Sequence, residues 1–82
     1  MNNEYDHKTL ADLKPGEKFK VKKVLAKGEI RRRLVDIGFI KEEPGVVLRE
    51  ALFRDPIEIE IKNSKVSLRR SEAELIKVKV IN

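Results

Sequence analysis

Apolar and polar residues alternate along most of this chain, a pattern typical of short β-strands with one buried face. The clearest case is residues 56–62, where Ile57, Ile59 and Ile61 alternate with charged residues. Weaker alternation predicts further strands over 17–25, 45–54, 65–70 and 76–81. In the first of these the alternation slips by one residue at Lys22-Lys23, which predicts a β-bulge.

Local signals also predict how these strands are connected and oriented. Asn63-Ser64 is expected to form a two-residue hairpin loop, because asparagine tolerates a positive φ. Ser71 is expected to cap a short helical turn before the last strand. In the strand over 45–54, Val46 and Leu48 are expected to lie on one face.

Residues 28–39 are the one segment with convincing helical spacing. Ile30, Leu34 and Ile37 lie at positions i, i+4 and i+7, which predicts a helix with one buried stripe. Gly38 is placed to end that helix, and Phe39 is expected to anchor its end in the core.

Five short strands, with one helix between the first two, predict a mainly β protein that forms a small five-stranded barrel. Closing the sheet on itself removes the exposed edges that so short a chain could not cover. Residues 1–8 have no periodicity and are expected to be a flexible leader, followed by a single domain over 9–82.

The amino-acid composition limits the cellular locations and the classes of partner that are expected. The chain has no cysteine, no apolar run near the ~20 residues that cross a bilayer and no visible signal peptide, so a cytoplasmic location without membrane insertion is expected. The net charge of +5 raises nucleic acid or an acidic surface as a partner. Because acids are interleaved with the bases and aromatic residues are scattered, nucleic acid is not expected.

The residue types that carry chemistry are scarce. His7 is the single histidine and lies beside Glu4 and Asp6, a group better interpreted as a solvated tail than as a metal site. Cysteine is absent, no serine has a histidine base near it, and glycine motifs for phosphate are missing. The sequence therefore predicts neither an enzyme nor a cofactor or metal site.

Two features could contact a partner protein. The segment over 51–55 joins two strands yet carries Leu52 and Phe53, which either fold back over the open end of the barrel, the favoured interpretation, or form an exposed apolar tip. The predicted helix carries Arg31, Arg32 and Arg33. The favoured interpretation is a solvated face with the ion pairs Arg32–Asp36 and Arg33–Glu29, and the alternative is a docking face.

A succession of short motifs resembles the ferrous iron transport protein A family (FeoA). They are Leu10-x-x-Leu13-x-x-Gly16, Arg33-Leu34-x-x-x-Gly38-Phe39, Pro44-Gly45, Asp55-Pro56-Ile57 and Leu68-Arg69-Arg70-x-Glu72-Ala73. The resemblance implies an SH3-like barrel in the cytoplasm. It also implies an accessory or regulatory role in ferrous iron uptake, by association with the membrane transporter FeoB. The chain departs from the family pattern in the longer connection through Lys41-Glu42-Glu43 and in Asn63, where a glycine is common.

The residues and the resemblance together predict an adaptor that acts by protein–protein contact. Its candidate contact residues are Arg31, Arg32, Val35, Leu52 and Phe53, Val35 being included because it lies off the predicted buried stripe. The alternatives are a small basic barrel that binds nucleic acid and a metal-sensing domain. A homo-oligomer joined through an apolar tip also stays open.

Overall fold

The computed structural model describes residues 8–81. Six antiparallel strands form one sheet, in the spatial order β1-β6-β2-β3-β4-β5. In chain order the elements are β1 (Lys8–Thr9), a first 3₁₀ turn (Leu10–Asp12), β2 (Lys18–Val24), α1 (Gly28–Ile37), β3 (Pro44–Glu50), a second 3₁₀ turn (Leu52–Arg54), β4 (Ile57–Ile61), β5 (Ser64–Leu68), α2 (Arg70–Ala73) and β6 (Ile76–Ile81).

The sheet has one strand more than the sequence predicts. β1 is two residues long, too short for any alternation to be visible, and it pairs with β6 through Lys8↔Val78 and Thr9↔Lys77. No pairing joins β1 to β5 within residues 8–81. Instead α2, which follows β5, packs against the first 3₁₀ turn, which follows β1. This contact brings the two ends of the sheet together.

The predicted bulge in β2 is confirmed. Val21 pairs with Val78 and Lys23 with Lys77, so the register against β6 shifts by one residue at Lys22. Phe19, Val21 and Val24 are buried on the inner face, as the slipped alternation predicts.

Val47 is the buried residue of β3, whereas the sequence singled out Val46 and Leu48 as residues that share one face. The run Val46-Val47-Leu48 is apolar throughout, so its alternation cannot distinguish the two faces. Val47 pairs with Ile59, which belongs to the buried row of β4, and paired residues project to the same side of a sheet. Val46 and Leu48 are half-buried, and a second bulge follows Val47.

The β4–β5 hairpin is formed as predicted except for the position of its loop. Ile61 pairs with Ser64, so the two loop residues are Lys62 and Asn63, one residue earlier than expected. Both have positive φ, 52° and 63°. A two-residue loop with positive φ at both positions matches the right-handed twist of its strands.

The helix α1 begins at Gly28, and Gly38 ends it with a φ of 133°. The N–H of Gly38 donates to the carbonyls of Leu34 and Val35, and Phe39 is fully buried. Leu34 is also fully buried, but Ile30 is 46% exposed. The predicted stripe is therefore wrong at Ile30, because only the second half of the helix packs on the core.

Candidate docking surface

Leu52 and Phe53 form an exposed apolar tip between β3 and β4. Their exposed fractions are 79% and 90%. The expectation that they fold back over the barrel is wrong, and the alternative of an exposed tip describes the structure.

Hydrogen bonds hold the loop that carries this tip. The N–H of Ala51 donates to the carbonyl of Pro56 at 2.9 Å, and the N–H of Arg54 donates to the carbonyl of Ala51 at 2.8 Å. The Arg54 guanidinium donates to Glu50 Oε2 at 3.2 Å and to the carbonyl of Ala11 at 3.5 Å. The tip is thus anchored both to β3 and to the first 3₁₀ turn.

The backbone of the tip directs its side chains outward. Phe53 has φ 61° and ψ 23°, and Arg54 has φ 62°. Each residue other than glycine in this left-handed region costs on the order of 1 kcal/mol. Phe53 and Arg54 are two such residues in succession, and the side chains of Leu52 and Phe53 are exposed to water. This local arrangement contributes little to folding and presents an apolar surface.

The helix residues proposed from sequence differ in their accessibility. The Arg31 guanidinium donates to the carbonyl of Val24 at 3.0 Å and so ties α1 to β2. Val35 is half-buried, contrary to the expectation that it faces solvent. Arg32 is exposed and lines a shallow depression of about 330 Å³ on the outer side of α1. Arg31 and Arg32 are both exposed, but only Arg31 makes a hydrogen bond that ties it to a neighbouring strand among the side-chain hydrogen bonds of residues 8–81.

The ion pairs expected within α1 are not among the salt bridges found in residues 8–81. Arg33 pairs with Glu72 of α2 instead of Glu29, and Arg32 forms no salt bridge with Asp36 in this part of the chain. For Arg33, the distant residue Glu72 thus replaces the local partner Glu29. Sequence spacing cannot predict such a long-range ion pair.

The short helix α2 contacts both candidate regions. Glu72, which pairs with Arg33 of α1, also accepts a hydrogen bond from the N–H of Arg69 at 3.0 Å. Asp55 Oδ1, at the end of the tip loop, accepts the N–H of Arg70 at 3.0 Å. The cap position is Arg69 rather than Ser71, because α2 begins at Arg70. Sequence reasoning did not identify the supporting roles of Arg54, Asp55 and Glu72.

No cluster of three or more histidine, cysteine, aspartate or glutamate side chains that could hold a metal ion is found between residues 8 and 81. The group of His7, Glu4 and Asp6 lies outside the described residues. Among those described, no helix is both long enough and apolar enough to span a membrane. Glu42 lies at the turn before β3, where a hydrogen bond from Lys22 and the charges of Lys22 and Lys20 lower the pKa of its carboxyl.

A mainly β domain, in which one antiparallel sheet is closed by a short helix, belongs to the class of small SH3-like barrels. The FeoA domain model matches residues 8–80. The chain belongs to the FeoA domain family, as its motifs predict.

Two relatives match over 73 residues, which are 89% of this chain. The putative Fe(2+) transport protein A of Campylobacter jejuni is 36% identical, and the match covers 99% of its length. The Fe(2+) transport protein A/Fe(2+) transporter FeoB fusion protein of Porphyromonas gingivalis is 33% identical. The chain spans only 9% of the length of that fusion protein.

Solved structures support the fold. The FeoA protein of Chlorobium tepidum is 37% identical and has a TM-score of 0.85, with 92% of this chain and 71% of that chain covered. The FeoA of Stenotrophomonas maltophilia, solved in complex with zinc and described as a prokaryotic SH3 domain protein, is 28% identical, with a TM-score of 0.79 and coverage of 88% and 89%. The predicted SH3-like fold class is confirmed.

Proposed function

We propose that this protein is a cytoplasmic accessory protein of ferrous iron uptake, not an enzyme, that docks on the cytoplasmic part of a FeoB-type transporter. Family membership supports the link to iron transport. The relative in which a transport protein A is fused to a FeoB transporter supports the choice of partner, because fusion keeps two interacting domains together.

The apolar tip is the observation that carries this proposal. Leu52 and Phe53 are the two most exposed large apolar side chains of the described residues. Burying one such side chain in a partner contributes about 1.5–3 kcal/mol. The anchored loop adds to this, because a pre-ordered binding segment loses little conformational entropy on association. The tip therefore supplies the central contact, and Arg32 on α1 supplies a separate polar contact.

Calorimetry with the purified cytoplasmic part of the transporter, in the presence and absence of guanine nucleotide, tests the proposal. The double variant L52S/F53S is expected to bind at least about 100-fold more weakly, since two apolar anchors are lost. The unfolding free energy should change by less than about 0.5 kcal/mol, because both side chains are exposed.

The matched control is I40S, because Ile40 is also a large apolar side chain, 39% exposed, and lies outside the tip. It should bind as the wild type does, and R32A should show an intermediate loss. Equal affinity of L52S/F53S and the wild type would place the contact surface elsewhere. Absence of any binding by the wild type would reject the partner itself.

A further inference from the structure

The outer side of β2 and β6 carries five lysines, named here the lysine face. Phe19, Val21 and Val78 lie between these lysines and are buried, and because side chains alternate along a strand, the lysines point outward. Lys22, at the bulge of β2, is also exposed but is bound to Glu42. The members of the lysine face are Lys18, Lys20, Lys23, Lys77 and Lys79.

The register sets these lysines directly against one another. Lys20 pairs with Lys79, and Lys23 pairs with Lys77. Like charges in directly opposed positions destabilise a sheet. Two such pairs in succession leave a dense positive charge that folding itself does not require.

The rest of the sheet follows the opposite rule. Where two charged residues are paired across β3, β4 and β5, their charges are opposite: Arg49 pairs with Glu58, and Glu60 pairs with Lys65. The chain has fourteen acidic residues, so acids were available for the β2–β6 pairs as well. The opposed lysines are therefore a local feature of one face and not a consequence of the overall charge.

Little within the described residues neutralises this face. Lys18, Lys23, Lys77 and Lys79 form no salt bridge between residues 8 and 81. Lys20 lies 3.8 Å from Glu42, whose other carboxylate oxygen binds Lys22 at 2.6 Å. Most of the positive charge is thus available to an external anion.

We propose that the lysine face binds the anionic phospholipid surface of the membrane that holds the transporter, a proposal that rests on the proposed function for its choice of membrane. The face is the outside of a β-sheet, and lysine is the only charged residue type on β2 and β6. Lysine is a hydrated point charge suited to non-specific attraction, and each one near an anionic bilayer strengthens binding about fivefold.

Nucleic acid is a poorer match for the same face. Single strands bind through aromatic side chains on which bases stack, and base edges are read mainly by bidentate groups such as arginine. Two of the three phenylalanines, Phe19 and Phe39, are fully buried, and Phe53 lies on the apolar tip. No arginine lies among the outward residues of β2 or β6.

Co-sedimentation of the full chain with vesicles tests this proposal. Wild type should bind vesicles of phosphatidylcholine with phosphatidylglycerol, should not bind phosphatidylcholine alone, and should dissociate as salt is raised. K77Q/K79Q should bind about 30-fold more weakly, the fold-change for two lysines at the membrane surface.

The control K65Q/R69Q removes the same two charges from β5 and the residue after it, and it should lose no more than about threefold. Equal losses in the two variants would mean that net charge alone acts, and would overturn the proposal. So would wild-type binding that ignores phosphatidylglycerol, or tighter binding to an oligonucleotide than to the vesicles.

The test is separate from that of the transporter contact. With no lipid vesicles present, K77Q/K79Q should bind the transporter's cytoplasmic part as the wild type does. L52S/F53S should bind vesicles as the wild type does. Loss of vesicle binding by L52S/F53S would assign the membrane contact to the apolar tip and overturn the assignment to the lysine face.

Discussion

Replacement of Gly45 by alanine should destabilise the barrel, although alanine is normally the better residue in ordered structure. Gly45 stands directly opposite the fully buried Phe19 across the β2–β3 pair. A Cβ on Gly45 would lie 2.5 Å from Cζ of Phe19 and 2.9 Å from the carbonyl oxygen of Glu60. Carbon atoms in favourable contact are about 3.5–4.0 Å apart, so the ring must move by about 1 Å.

The magnitude follows from two opposing effects. Overpacking a dense core costs about 1–3 kcal/mol. The φ of Gly45 is not positive, so alanine also gains about 0.4–1 kcal/mol by restricting the unfolded chain. The net loss is about 1–2 kcal/mol, and the melting temperature should fall by roughly 5–15 °C in a domain of this size.

Urea unfolding of a double-mutant cycle with F19L isolates the clash. F19L alone should destabilise by about 1 kcal/mol through lost packing. In the G45A background the same change should cost little or stabilise, because the smaller side chain makes room for the Cβ, with a coupling energy of about 1 kcal/mol or more. Additive effects, or a G45A variant as stable as the wild type, would refute the close approach of Phe19 and Gly45.

Three further predictions concern charges. K77E, measured by urea unfolding, should stabilise the domain by about 0.5 kcal/mol by replacing repulsion with attraction toward Lys23, and the gain should shrink in high salt. R31A should destabilise by about 1 kcal/mol, because the hydrogen bond to the Val24 carbonyl is lost, as thermal unfolding would record. The pKa of the Glu42 carboxyl is lowered in the folded state from 4.5. The ionised carboxylate therefore stabilises the folded protein above pH 4.5, and this stabilisation is lost as the pH falls through the folded pKa. E42Q should flatten the acid limb of a curve of unfolding free energy against pH.

Each of these has an outcome that would contradict it. A K77E variant less stable than the wild type at low salt would mean that Lys77 and Lys23 do not face each other. Unchanged stability in R31A would show that the α1–β2 hydrogen bond contributes nothing in solution. An acid limb identical in E42Q and the wild type would remove the stabilising role of the Glu42 carboxylate.

Features that depend on neighbours along the chain were predictable from sequence. The alternation of Ile57, Ile59 and Ile61 predicted β4 and its buried face, since a strand's side chains alternate wherever the strand lies. The slip at Lys22-Lys23 predicted the bulge, and Gly38 with Phe39 predicted the end of α1. Each signal extends over a few residues and reflects backbone geometry.

The tertiary structure alone determined which surfaces are exposed and what supports them. The side on which Val47 lies follows from pairing with β4, and the exposure of Ile30 follows from how much of α1 reaches the core. The apolar tip depends on the contact of Arg54 with Ala11, and the lysine face on the placement of β6 beside β2. These partners are far apart in the chain, and local periodicity contains no information about which distant segments meet.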